Sequence, residues 1–71
     1  MKKQFDRYEN IDGYEFCLWE KYGKRRIYVN NNTGRNQRNG GGYIDLDHDN
    51  AVYASGCVKL AAERFLAAYE I

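Results

Sequence analysis

A chain of 71 residues with 44% hydrophobic and 30% charged side chains makes one small globular domain; it is too short for a second core and too apolar for a disordered segment. The formal net charge of +1 excludes a uniformly basic nucleic-acid coat. No apolar run approaches the ~20 residues of a membrane-spanning helix.

The charge is segregated along the chain. Residues 1–20 sum to −2, residues 21–44 to +6 with no acid among them, and residues 45–71 to −3. A basic middle between acidic flanks predicts a dipolar surface. The opening "MKKQFDRYENIDGYE" is polar and lacks the apolar stretch of a signal peptide. Cys17 and Cys57 are the two cysteines, each among apolar neighbours. Both are expected to be reduced core residues of a cytoplasmic protein.

In chain order, residues 1–12 come first. Phe5, Tyr8 and Ile11 recur every three positions, which fits a short helix or a packed arm. "YEFCLWEK" at 14–21 is aromatic-rich and predicts a strand. After Gly23, "RRIYVN" alternates, with Ile27 and Val29 on one side and Arg26, Tyr28 and Asn30 on the other. "NNNTGRNQRNGGG" at 30–42 has no apolar residue and no acid. It exceeds the 2–5 residues of a hairpin turn and predicts a basic finger carrying Arg35 and Arg38. Its closing glycines are expected to let the chain re-enter the sheet at unusual dihedrals. "GYIDLD" at 42–47 alternates again, "HDN" at 48–50 is turn material, and "AVYA" at 51–54 is a short fourth strand.

Ser55 is placed to cap a helix over 56–70. There Val58, Ala61, Ala62, Phe65, Leu66 and Tyr69 fall on one stripe at 3.6-residue periodicity. The predicted fold is α+β: an antiparallel β-meander of three to four strands over 14–54, with one C-terminal α-helix packed on one face. Phe16, Leu18, Ile27, Val29, Ile44 and Leu46 would face the helix. Period-2 alternation then sends Cys17, Trp19, Lys21, Arg26, Tyr28, Tyr43, Asp45 and Asp47 outward, with Tyr53 beside them.

Candidate chemistry is sparse. "DLDHDN" at 45–50 begins like a calcium loop, but Asn50 stands where the turn wants glycine and Gly56 where a bidentate glutamate belongs. His48 is the single histidine, with no spacing that supplies a nucleophile and an orienting group. Two cysteines and one histidine lack the pair spacing of a zinc site, and the glycines at 40–42 lead into a strand rather than a phosphate-binding helix. The expectation is a non-enzyme with neither metal nor cofactor.

Two binding readings follow. In the first, Arg25, Arg26, Arg35, Arg38, Trp19, Tyr28 and Tyr43 contact a protein, because Tyr, Trp and Arg dominate protein interfaces. A small, proline-free chain of this profile fits accessory proteins of phages and mobile elements, anti-CRISPR inhibitors among them. Its partner would be a host nucleic-acid-processing enzyme or complex. No residue motif places the chain in such a family. In the second reading the same residues bind DNA or RNA directly, against which stand Glu15, Asp45 and Asp47 on the same expected face. A separate strip of Leu60, Ala67 and Ile71, with Arg64 beside it, lies opposite the core stripe. It would seat a second copy of the chain, as a homodimer, or a partner helix.

Overall fold

A computed structural model describes residues 2–31 and 41–71. In chain order the elements are β1 (Lys3–Gln4), β2 (Tyr8–Ile11), β3 (Tyr14–Lys21), β4 (Lys24–Asn31), β5 (Gly42–Asp45), β6 (Asn50–Tyr53), α1 (Gly56–Ala68) and β7 (Tyr69–Glu70). Strands β2 to β6 form one antiparallel meander in sequence order, while β1 and β7 pair in parallel as a separate ribbon. The architecture is thus the expected α+β meander with a C-terminal helix on one face, and it has five strands.

The additional strand comes from residues 8–11. Asp12 and Gly13 both take left-handed dihedrals, φ 54° and 82°. Two such residues make the hairpin turn whose twist matches the strands it joins. The chain therefore folds back on β3, with Tyr8 opposite Cys17 and Ile11 opposite Tyr14. Hairpin geometry overrides the three-residue spacing that suggested a helix. Upstream, Phe5 meets Phe65 and Tyr69 edge-on, with ring centroids 5.0 and 5.8 Å apart. The arm is thereby fixed to the helix side.

The core lies between α1 and one sheet face. Phe16, Ile27, Val29 and Ile44 from the sheet are buried against Val58, Ala61, Ala62, Phe65 and Tyr69, with Leu18, Leu46 and Leu66 packed around them. Ser55 caps the helix as expected, its Oγ accepting from the Val58 N–H at 3.4 Å. The helix is shorter than predicted. Tyr69 is extended, with φ −119° and ψ 149°, because residues 69–70 pair with β1 instead of continuing the helix.

Three placements differ from expectation. Tyr53 stands opposite Gly42, in register with Val29 and Phe16. It therefore packs on the core, and Val52 takes its outward place. Cys57 is exposed in the first helical turn, while Cys17 is buried; the apolar neighbours of Cys57 in sequence sit around the helix rather than beside it. Gly42 is not left-handed, unlike Gly13 and Gly23. It is needed for space, since a Cβ there would collide with the Val52 carbonyl oxygen.

Candidate functional site

The second face of the sheet carries no helix, and the register builds two rows across it. One runs Tyr8, Cys17, Tyr28, Tyr43, Val52. The next runs Trp19, Arg26, Asp45, Asn50. Trp19, Arg26, Tyr28 and Tyr43 are thus brought together as predicted. Tyr8 joins them from β2, a contribution that sequence reasoning missed. The signal for it was the Asp12-Gly13 dipeptide, a strong short-range mark of a hairpin. The arm does not fold over this face: Phe5 and Ile11 pack on the core, while Tyr8 is 57% exposed.

The Tyr28 and Tyr43 rings lie 6.2 Å apart and tilted by 49°, so they do not stack on one another. The Arg26 guanidinium sits 4.7 Å from the Tyr43 ring centroid, within cation–π range. Its Nε is 3.6 Å from Asp45 Oδ2. That distance is an ionic contact rather than a hydrogen bond, and the buried Nε has no hydrogen-bond partner. The nearby Tyr28 hydroxyl is the largest influence raising the Arg26 pKa above its ordinary value, and the Asp45 charge adds to it.

Two of the acids expected on this face are removed from it. Asp45 is 4% exposed, beside Arg26, and its Oδ1 accepts from the Asp47 N–H at 3.1 Å. Asp47 lies past the end of β5 and accepts from the Arg25 backbone N–H at 2.7 Å. That hydrogen bond, followed by the Arg25 charge, lowers the Asp47 pKa. Arg25 shares the register side of Ile27 and Val29 and pairs with Asp47 at 3.5 Å. It is therefore not part of the open face, a correction to the expected contact set. Strand alternation places Arg25 and Arg26 on opposite sides. Arg35 and Arg38, with most of the expected basic finger, lie outside the described residues.

What remains is a face with unneutralised cations. Lys21 and Lys24 stand directly opposite each other at the end of the β3–β4 hairpin. Among the described residues neither has a carboxylate within ion-pair distance, and nor does Arg7. Like charges directly opposite weaken a strand pair. Trp19 is flanked by two of these cations, Arg7 at 5.2 Å and Lys21 at 4.8 Å from the ring centroid. Glu15 is the half-buried acid of this face. An open groove of about 580 Å³ runs along the hairpin, lined by Trp19, Lys21, Tyr22, Lys24, Arg26 and Tyr28.

Elsewhere the chemistry does not converge. Among the described residues no three His, Cys, Asp or Glu side chains cluster as metal ligands would. His48 is exposed in the turn after β5. On the helix, Leu60 and Ile71 are 57% and 41% exposed and Ala67 is exposed. Arg64 is not free at the rim of that strip; it reaches Asp12 in the β2–β3 turn at 2.7 Å. No described helix is long and apolar enough to cross a membrane. No protein-family model matches the chain, and neither do any curated protein or solved structure.

Proposed function

We propose that the chain is a non-enzymatic binding protein that takes nucleic acid directly on the open face of its sheet. The observation that carries this reading is the disposition of charge. Arg7, Lys21 and Lys24 stand without acid partners among the described residues, beside Trp19, Tyr28 and Tyr43. Asp45 is buried with Arg26 and Asp47 is turned to Arg25. Two of the three acids that argued against a polyanionic ligand are thus withdrawn, and Glu15 remains, half-buried, at the far end of β3 from the Lys21–Lys24 turn. Aromatic rings between free cations suit bases and phosphates together, and such binding requires neither metal nor cofactor.

Titration of a labelled oligonucleotide of about 20 nucleotides at two salt concentrations tests the reading. Three phosphate contacts on a single strand should give a logarithmic salt slope of about −2. Absence of micromolar binding to single-stranded and duplex probes alike would overturn it.

The protein-partner reading stays second, supported by Tyr22, which is 97% exposed beside Trp19 and Tyr28. Such an aromatic patch with nearby Arg also resembles an interface hot spot. On that reading the chain is an accessory protein of phage or mobile-element type, an anti-CRISPR-like inhibitor among the possibilities. It would occupy a host nucleic-acid-processing protein in the cytoplasm. Capture of a partner that survives nuclease treatment, together with no oligonucleotide binding, would favour it.

A further inference from the structure

Three described residues other than glycine have positive φ: Asp12 at 54°, Tyr22 at 54° and Asp49 at 49°. Aspartate tolerates this region because its short side chain bonds locally. Tyrosine has no such relief, and a bulky residue there is an outlier. The β3–β4 turn is the two-residue kind whose first position prefers Asn, Asp or Gly. Tyr22 occupies it instead, with its side chain in solvent at 97% exposure. It makes no ring contact with any described residue. Nor does any described cation lie over this ring. The flanking residues repeat the pattern, since Lys21 and Lys24 are like charges directly opposite. Two independent features of one four-residue tip therefore act against stability, and strain of this kind gathers at ligand-contacting sites.

Resting on the nucleic-acid reading, we infer that the tip Lys21–Tyr22–Gly23–Lys24 is the recognition element and that its ligand is a single strand with unpaired bases. Trp19, Tyr22 and Tyr28 all line the groove. An unpaired base offers a π-face to these rings, whereas in a duplex the faces are already stacked and only edges and phosphates are presented. The two lysines then meet the phosphates on either side of the stacked base, and the anion relieves their mutual repulsion. Arg7 and Lys21, both near the Trp19 ring in the free protein, are within reach to follow the backbone once a base covers that ring.

The test uses the full chain, a labelled pyrimidine single strand and its duplex of equal length. Trp19 is the sole tryptophan, so its emission reports the groove. The single strand should quench Trp19 and bind at least tenfold more tightly than the duplex. Tyr22→Asn, which suits the turn, should weaken single-strand binding about tenfold, the loss expected for one base stack, while the fold persists. Equal affinity for duplex and single strand would overturn this inference and leave direct nucleic-acid binding standing. Undiminished affinity in Tyr22→Asn would likewise overturn the role of the tip. Failure of every probe to bind would remove both the inference and the reading beneath it.

Discussion

The Phe65 ring lies parallel on Phe16, centroids 4.3 Å apart, and this contact joins the helix to β3 of the sheet. Both residues are fully buried. Phe65 also touches Phe5 edge-on and Tyr69 at 4.8 Å, so one side chain unites helix, sheet and N-terminal arm. Phe65→Ala should cost about 3–5 kcal/mol. A domain of this size holds about 4–10 kcal/mol in all. The variant should therefore lose about a third or more of its stability and melt well below wild type. A melting temperature equal to wild type would contradict this placement.

Gly42 and Gly41 make a sharper comparison. A Cβ on Gly42 would collide with the Val52 carbonyl oxygen and press on the Tyr53 Cα at 3.2 Å. Both are backbone atoms of the adjacent strand and cannot swing away. At Gly41 the nearest atom would be the Val29 carbonyl oxygen at 3.7 Å, an ordinary contact. Gly42→Ala should lower stability by about 1–3 kcal/mol, as overpacking does. Gly41→Ala should be close to neutral. Urea melts of the pair test the ordering, and equal midpoints would refute it.

Much of this fold is legible in the sequence for one reason: periodicity records burial. The stripe from Val58 to Tyr69 and the alternation around Ile27 and Ile44 each mark a face that meets the core. Residues 1–12 were not legible by the same rule. Their strand is short and half-exposed, so hydrophobic spacing carries little information, and the deciding signal is the Asp12-Gly13 turn. Tyr53 was misplaced because alternation fixes faces only within a strand; the face it joins is set by the β5–β6 register, in which Asp45 pairs with Asn50 and Gly42 with Tyr53. In the candidate site, Trp19, Tyr28 and Tyr43 follow from parity alone. The burial of Asp45 with Arg26 does not, because it depends on which cross-strand neighbours meet. The strain at Tyr22 is a backbone property that composition does not reveal.

Tyr69 ties the arm to the sheet through polar contacts as well as its ring. Its hydroxyl donates to Glu9 Oε2 at 2.9 Å and accepts from Lys3 Nζ at 3.4 Å. Tyr69→Phe removes both and keeps the packing. A hydrogen bond to a charged group contributes about 1.5–3 kcal/mol, and solvent access to Glu9 places the loss near the lower figure. Chemical denaturation measures the total. Hydrogen exchange should show faster protection loss at Lys3–Gln4 than in β3 or β4, and uniform loss would mean that the arm is not held by this group.

Acid should weaken the β4–β5 corner through Asp47. Its pKa is lowered, first by the Arg25 N–H bond and then by the Arg25 charge. A depressed folded-state pKa means the ionised form is favoured by folding. Its contribution is present above the ordinary carboxylate value of 3.8 and is lost as pH falls through the lower folded value. Asp47→Asn should therefore be less stable than wild type at neutral pH, and the gap should close on acidification below that value. A gap independent of pH would show that the carboxylate charge does not matter.

The turn at Tyr22 should be improvable at the expense of binding. A non-glycine residue in the left-handed region carries a penalty of roughly 1 kcal/mol, which asparagine largely avoids. Asn-Gly is also the preferred pair for this turn, and Tyr22-Gly23 already holds its dihedrals, φ 54° and 72°. The ring makes no contact with a described aromatic group, and the residue is 97% exposed, so its removal forfeits little packing. Tyr22→Asn should thus raise stability by about 0.5–1 kcal/mol, which for a domain of this size is a rise of several degrees in melting temperature. Gly23→Ala should do the reverse. No heavy atom lies within 4 Å of a Cβ there, but φ remains positive, so strain alone makes the difference. A Tyr22→Asn variant that melts lower than wild type would show that the tyrosine supports the hairpin, and the case for a tip strained in the service of binding would fail with it.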